Sequence, residues 1–510
     1  MASTTRSNDH AMAGARYRAT YLNAVAGIYV EGTDGKLRLQ AGNDLNLTAA
    51  QLAAPGKNSA VRLEAGRDIT LGAAQTAKDE QVVFSGDNRI TRHQSQEVGT
   101  VINGAGPVEL TAGRDITTTA ADINAGDRLQ AKAGQDIRLL AGKQQQRHDE
   151  YLKVTGSNSL LSSTTTTTQH QYDRQQALSS TLSGDAVNMQ AGRDATVRGS
   201  HVVGTQNVAV EARRDLTVTT AQEYNREMHR QEEKKSGLMG TGGMGFMIGS
   251  QSQKQSTTRE DSLHKGSTVG SSEGRVALIA KNQVTLHGSD VVAGKDLTLQ
   301  GKDVAVTAAK NRHTEISKTE QKQSGLTVSL GGTAGSALHT AVQTANEAKE
   351  SKNNQNSRMQ ALKNTQAALS GAQAVQAWQL SQAQSAKADA INQAGGKAGK
   401  PTDVVGVQLS LGSQSSKSET RREQTLSQGS TLNAGHDIRI TATGDKEKSS
   451  RGGDIQVQGS ELNAGHDITL TAKRDIALIS AENTDMLRGR NSSKGGSIGV
   501  GLTAGQGARA

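Results

Sequence analysis

The sequence predicts an all-β fold: a right-handed parallel β-helix with β-hairpin excursions and an Ala/Gln-rich helical insert. Three observations predict it: a recurring corner phrase, apolar/polar alternation on both sides of that phrase, and a composition almost free of aromatic residues. The phrase is Ala-Gly-x-Asp followed by an aliphatic pair. It places aspartates at Asp44, Asp68, Asp115, Asp136, Asp194, Asp296, Asp437 and Asp467, with degenerate copies at Asp215 and Asp475 that lack the glycine. A phrase used this often is scaffolding, because a catalytic site is needed once.

Spacing sets the size of the unit. Asp115 to Asp136 and Asp194 to Asp215 are each 21 residues apart, and Asp44 to Asp68 is 24. Pairs such as Leu37 and Leu39, Leu45 and Leu47, Val208 and Val210, and Leu216 and Val218 alternate with polar residues, which is the strand period. Three short strands and three turns in about 20 residues make one coil of a parallel β-helix, and only stacked coils can bury a continuous core. Within the corner, glycine is expected to supply a positive φ. The aspartate is expected to accept a backbone N–H two residues on. The aliphatic pair points into the core. Arg67, Arg114, Arg193, Arg214, Lys295 and Arg474 stand before aspartates, so stacked carboxylates about 4.8 Å apart are interleaved with cations.

The phrase divides the chain. A polar N-terminal segment occupies 1–21. Coils occupy 22–75, 101–142, 183–220, 269–308 and 431–481. Between them lie inserts at 76–100 and 143–182, a Gly-rich hairpin insert at 221–268 and a long insert at 309–430. The stretch 482–510 reads as a truncated insert, since the outgoing strand has no returning half. The coils sum to about 11 turns, a shaft on the order of 50 Å. The inserts are related to one another. Gly249 to Lys254 matches Gly412 to Lys417, and at the same offset Gly266-Ser267-Thr268 falls on Gly429-Ser430-Thr431. Leu326 to Leu330 likewise falls on Ile498 to Leu502. The inserts are therefore expected to be long hairpins that leave and rejoin the shaft. Within the longest, 336–393 is rich in Ala and Gln, with Met359, Leu362, Leu369, Val375 and Trp378 at helical spacing.

Composition limits function. There is no Cys, so there is no disulfide framework and no thiolate metal site. The net charge of +9 is spread along the chain, and aromatics make up 2%, so nothing resembles a base-stacking platform and no nucleic-acid partner is expected. Residues 1–18 lack the apolar core of a signal peptide. Gly240 to Gly245 fits a G-x-G-x-x-G pattern but no strand–turn–helix unit surrounds it, and no nucleophile elbow is present. No catalytic residue, cofactor or metal ligand is therefore assigned. His436 and His466 read as exposed corner residues, because Arg, Lys, Asn and Gln occupy the same place in other copies. The candidate contact residues are apolar: Met244, Phe246 and Ile248 in a polar neighbourhood, and Trp378 in the helical segment. The alternating strands at Val405 to Leu411 and Ile498 to Leu502 suit either a lipid-facing hairpin or edge strands packed on the shaft.

The repeated Ala-Gly-x-Asp-[Ile/Leu] coils resemble filamentous haemagglutinin repeats. With Ser324 to Leu330 (Ser-Gly-Leu-Thr-Val-Ser-Leu) and Gln414 to Thr420 (Gln-Ser-Ser-Lys-Ser-Glu-Thr), they are similar to the C-terminal-side repeat region of two-partner-secreted exoproteins. That group includes adhesins and contact-dependent growth-inhibition effectors. The resemblance implies a Gram-negative bacterium, an outer-membrane two-partner-secretion transporter as partner, a secreted or cell-surface location, and a target-cell envelope or receptor as the second partner, with peripheral contact to the outer membrane. The function implied is the structural shaft of an adhesin mediating cell contact. The alternative is the region that carries a toxin across the target's outer membrane. A β-helical carbohydrate-active enzyme stands behind both, since sugar stacking needs more aromatics.

Overall fold

A computed structural model describes residues 1–159, 161–240, 245–330, 406–445 and 452–503. The expected helical segment at 336–393, with Trp378, lies outside the described residues, as does Met244.

Three parallel sheets of ten strands each form the shaft. The first face runs from Gly27–Tyr29 to Glu461–Ala464, the second from Lys36–Ala41 to Ile468–Ala472, and the third from Leu45–Thr48 to Ile476–Ile479. One strand from each face, in sequence order, makes a coil. There are ten coils among the described residues, where the spacing suggested about eleven. Inward residues stack in register: Leu52, Ile102, Ile123 and Leu182 form one column, and Val61, Val108, Leu129 and Val187 another. These side chains are at most 1% exposed, so each contributes roughly 1.5–3 kcal/mol of burial.

The inserts do not pack on the shaft. They pair with one another in an eleven-stranded antiparallel sheet. Its hairpins are Thr4–Met12 with Ala15–Ala24, Ala74–Ser85 with Asn88–Val98, Gly142–Ser159 with Ser162–Leu178, Ala221–Gly240 with Gly245–Lys265, and Ala309–Leu330 with Gly406–Gln428. Thr484–Thr503 is the eleventh strand. The segment read from sequence as a plain polar N-terminus is thus the first hairpin. Strands lengthen from 9 residues at Thr4–Met12 to 23 at Gly406–Gln428, so the sheet reaches from about 30 Å to nearly 80 Å.

One hairpin precedes the first coil, the others follow the second, fourth, sixth and eighth coils, and the strand Thr484–Thr503 follows the tenth. The reason is a match of periods. Two coils rise about 9.6 Å, and a hairpin adds two strands, also about 9.6 Å. Only at this ratio can both sheets stay hydrogen-bonded along their whole length.

The five coils without a hairpin turn from the third face to the first through one left-handed residue: Ala49, Ala120, Gly199, Gly288 and Gly459, with φ between 48° and 56°. After the three glycines the next residue is a serine in a column of small hydroxyls, and after the two alanines it is Ala50 or Ala121, whose N–H donates to Thr100 or Ser180 of that column. Ser180 N–H donates to Ser200 Oγ at 3.3 Å, Ser200 N–H to Ser267 Oγ at 3.2 Å, and Ser267 N–H to Ser289 Oγ at 3.2 Å. The series continues through Ser430 to Ser460. These hydroxyls satisfy N–H groups that the corner removes from the sheet ladder.

The aspartate corners differ from the sequence expectation in three ways. First, Gly66, Gly113, Gly134 and Gly192 do not have positive φ. Glycine is needed there because a Cβ would collide with the carbonyl of the glycine one coil below. Secondly, the carboxylates of Asp44, Asp68, Asp115, Asp136, Asp194 and Asp437 accept the N–H of the aspartate in the next coil, not one within their own turn. Asp136 N–H reaches Asp115 Oδ1 at 3.0 Å, and Asp115 N–H reaches Asp68 Oδ1 at 3.2 Å. Thirdly, the aspartates do not form one ladder. Asp44, Asp68, Asp115, Asp136, Asp194, Asp215 and Asp475 lie between the second and third faces, whereas Asp296, Asp437 and Asp467 lie between the first and second.

Candidate functional site on the outer rim of the hairpin sheet

Arginines beside the shaft's corner aspartates are paired within the shaft. Arg67 Nε donates to Asp44 at 2.7 Å, Arg114 to Asp68 at 2.8 Å, Arg193 to Asp136 at 2.7 Å and Arg214 to Asp194 at 2.8 Å, each time one coil apart. Asp136 is buried, yet the Arg193 and Arg138 guanidiniums hold its carboxyl below the usual carboxylate range, the Arg193 hydrogen bond being the largest influence. Asp44 and Asp68 are lowered by the same kind of partner. Asp303 and Asp454 continue this ladder, with Asp454 N–H on Asp303 Oδ1 at 3.0 Å and Arg474 Nε on Asp454 at 2.7 Å. Sequence reading missed both, because Asp303 follows Gly-Lys and Asp454 follows Gly-Gly. At the other corner His436 and His466 stack at 4.9 Å, each with Nδ1 3.1 Å from the aspartate one coil earlier. This ladder is a structural clamp between coils.

The surface available for contact is the far end of the last hairpins. Antiparallel pairing brings residues distant in sequence into transverse rows. Leu238, Ile248, Leu326, Leu411 and Ile498 form one row across five strands, and Phe246, Val328 and Leu409 form the next row outward. Rows two residues apart share a face. Ile248, Leu411 and Ile498 are 52%, 63% and 86% exposed, so the patch is open to solvent. Immediately inward, Ser163, Ser236, Ser250, Ser324 and Ser413 form a hydroxyl row, and Lys234, Lys322 and Lys494 recur on alternate strands of the row behind it. These two rows line a groove of about 780 Å³. Passing outward, one face therefore presents ammonium groups, hydroxyls and then aliphatic side chains.

Of the contact residues read from sequence, Phe246 and Ile248 stand in this patch. The strands at Val405 to Leu411 and Ile498 to Leu502 do not lie on the shaft: within the described residues they are the outer ends of Gly406–Gln428 and of Thr484–Thr503, the edge strand of the hairpin sheet. The rows themselves were hidden in the sequence, since neighbours such as Ile248 and Leu326 are far apart in the chain. The offset match between Leu326–Leu330 and Ile498–Leu502 was the available signal.

Comparison with known proteins decides the family. The family model described as hemagglutinin repeat matches residues 84–238, 248–400 and 411–510. The chain belongs to the hemagglutinin-repeat family. Within it, the chain is 40% identical over 411 residues to the 16S rRNA endonuclease CdiA of Enterobacter cloacae, covering 79% of this chain and 12% of that protein. It is 47% identical over 319 residues to the deoxyribonuclease CdiA of Yersinia pseudotuberculosis, covering 62% and 28%. It is 38% identical over 476 residues to the deoxyribonuclease CdiA of Dickeya dadantii, covering 91% and 13%. The chain thus spans between 12% and 28% of the length of these relatives. No solved structure matches it. The nuclease names belong to those much longer proteins. The three hemagglutinin-repeat matches each begin within or between the hairpins and run through coils, so the repeating unit includes the excursions as well as the shaft.

Proposed function

We propose that this chain is the shaft and contact region of a secreted, cell-surface exoprotein of a Gram-negative bacterium, exported by a two-partner-secretion transporter. Its work is mechanical: the coils fix the spacing of the hairpins, and the hairpin sheet presents its outer rim to a target envelope. The observation that carries this reading is the layered rim, in which lysines, serines and apolar rows follow one another outward on a single face. That order suits a lipid interface, where cationic and hydroxyl groups meet headgroups and aliphatic groups enter the acyl region.

The similarity to CdiA proteins favours a particular form of this function, that of a region carrying a toxin toward or through a target outer membrane. Any nuclease activity then belongs to a different part of such a protein. The adhesin reading needs only the shaft and a receptor.

The test is flotation of the purified chain with vesicles of phosphatidylethanolamine and phosphatidylglycerol, with and without lipopolysaccharide. Co-flotation is expected, and Ile248→Asp with Leu411→Asp should reduce it at least tenfold while the circular dichroism stays unchanged. Absence of flotation by the unmodified chain, together with binding to intact cells that ignores both substitutions, would leave the adhesin reading and remove the membrane one.

A further inference from the structure

The third hairpin brings together three metal-ligating side chains that sequence reading did not connect. His148 and Glu150 lie on the outgoing strand Gly142–Ser159. Glu150 is paired across to His170 on the returning strand Ser162–Leu178. One ligand atom from each of His148, Glu150 and His170 lies within 4.8 Å of the other two. His148 Nε2 is 3.3 Å from Glu150 Oε2. A tetrahedral cation with bonds of about 2.0–2.1 Å places adjacent ligands roughly 3.3 Å apart.

Three further observations separate this cluster from an ordinary surface group. His148 is 7% exposed, stacked on Tyr172 at 5.1 Å, yet its Nδ1 finds no hydrogen-bond partner. Packing on Tyr172 accounts for the burial, and Nε2 is the ring nitrogen turned toward Glu150. His170 Nε2 is 3.3 Å from Glu227 Oε1, a carboxylate placed to orient the imidazole or to complete the coordination. His229 is paired directly across from His170, with ring centroids 6.0 Å apart. The nearby guanidinium of Arg92, paired across from His148, is drawn to Glu80 at 3.0 Å.

We propose that His148, Glu150 and His170 bind a divalent transition-metal ion of the zinc class. Imidazole and carboxylate donors in a roughly tetrahedral set suit Zn²⁺ and its spectroscopic substitute Co²⁺ better than Mg²⁺ or Ca²⁺, which call for more oxygen ligands. The ion joins both strands of the third hairpin part-way along their length. Glu227 and His229, on the outgoing strand of the fourth hairpin, tie the site to the neighbouring unit. Its consequence is to fix the register of a sheet that has no buried core of its own. The second His-containing group, His436, Asp437 and His466, provides the internal control, because its imidazoles are 59% and 62% exposed and already face aspartates.

The experiment is titration of the full chain, stripped with chelator, with Zn²⁺ alone and with Co²⁺ alone. One equivalent is expected to bind, with the visible absorption of tetrahedral cobalt. His148→Gln and His170→Gln should each weaken binding at least tenfold, whereas His436→Ala with His466→Ala should leave it unchanged. Zinc should slow amide exchange in 142–178 and leave the coils unaffected. Exchange in the coils also reports whether each variant is folded. Absence of tetrahedral cobalt absorption, or binding that survives both glutamine substitutions, or binding lost only with His436 and His466, would overturn the assignment.

Discussion

The shaft and the hairpin sheet are built from the same short-range signals and hold together in opposite ways. The shaft closes three parallel sheets around aliphatic columns such as Ile69, Ile116 and Ile137, all at most 1% exposed. The hairpin sheet is a single layer. Its strand Ser162–Leu178 is intermediate in burial at all but one position, and its partners are cross-strand pairs such as Arg147 with Asp173 and Arg422 with Asp485. Such pairs contribute only about 0.2–1 kcal/mol each. A two-stranded hairpin alone is marginal in water. The contrast teaches that the hairpin sheet is templated. The shaft supplies the cooperative core, and its two-coil period delivers each hairpin at the separation where the next can pair with it.

The largest expected effect comes from breaking that period. Deleting 101–121 removes one hairpin-free coil and joins Thr100 to Asp122, whose strand is in register with the one removed. The second and third hairpins would then start about one strand spacing too close. Exchange protection should be lost where Asn88–Val98 meets Gly142–Ser159, while the coils remain protected. Deleting 101–180, two coils with their hairpin, should preserve pairing. If both deletions leave the sheet equally protected, the shaft does not set its spacing.

Next come point changes in the shaft. Leu139→Ala removes a fully buried side chain and should cost about 2–5 kcal/mol by denaturant titration, whereas Thr166→Ala in the sheet should cost less than about 0.5 kcal/mol. Equal costs would contradict a core confined to the shaft. In a solenoid the damage should centre on the altered coil and its neighbours.

Acid provides a smaller and distributed test. Asp44, Asp68, Asp136 and Asp454 have folded-state carboxyls lowered first by Arg67, Arg114, Arg193 and Arg474 respectively. Their stabilisation is therefore complete above the unfolded value of about 3.9 and is lost as pH falls through the lower folded values. His287 is lowered by burial, so the unfolded chain gains a proton first, and a slight loss begins below about pH 6.5. Thermal melts should fall gently below that point and steeply below about pH 4. Asp136→Asn should flatten the acid limb.

The smallest effect is a gain. Ala120 has φ of 50°, where glycine is unstrained. Ala120→Gly should stabilise by about 0.5–1 kcal/mol despite its added backbone freedom. A loss would mean that this corner tolerates its left-handed alanine for a packing reason.

Much of this architecture is local and periodic, and was legible for that reason. The aspartate phrase marks corners because glycine, aspartate and a following aliphatic pair act over a few residues. Alternation at Leu45 and Leu47 or Val208 and Val210 assigns the inward face because the strand period is two. The arginine before the aspartate pairs with the preceding coil because stacking leaves a carboxylate within reach.

What lay beyond reading was whatever depends on which strand stands beside which. The phrase looks the same at Asp194 and Asp296, but one closes the second face onto the third and the other the first onto the second. The glycine that seemed to need a positive φ needs room for the carbonyl of the coil below. The rim from Leu238 to Ile498, and the cluster of His148, Glu150 and His170, exist only across strands. The sequence by itself determined the coil, because every coil obeys the same short-range chemistry. Only the tertiary structure decided the rows, because they follow from a shared rise of about 4.8 Å per strand in two sheets that no local segment contains.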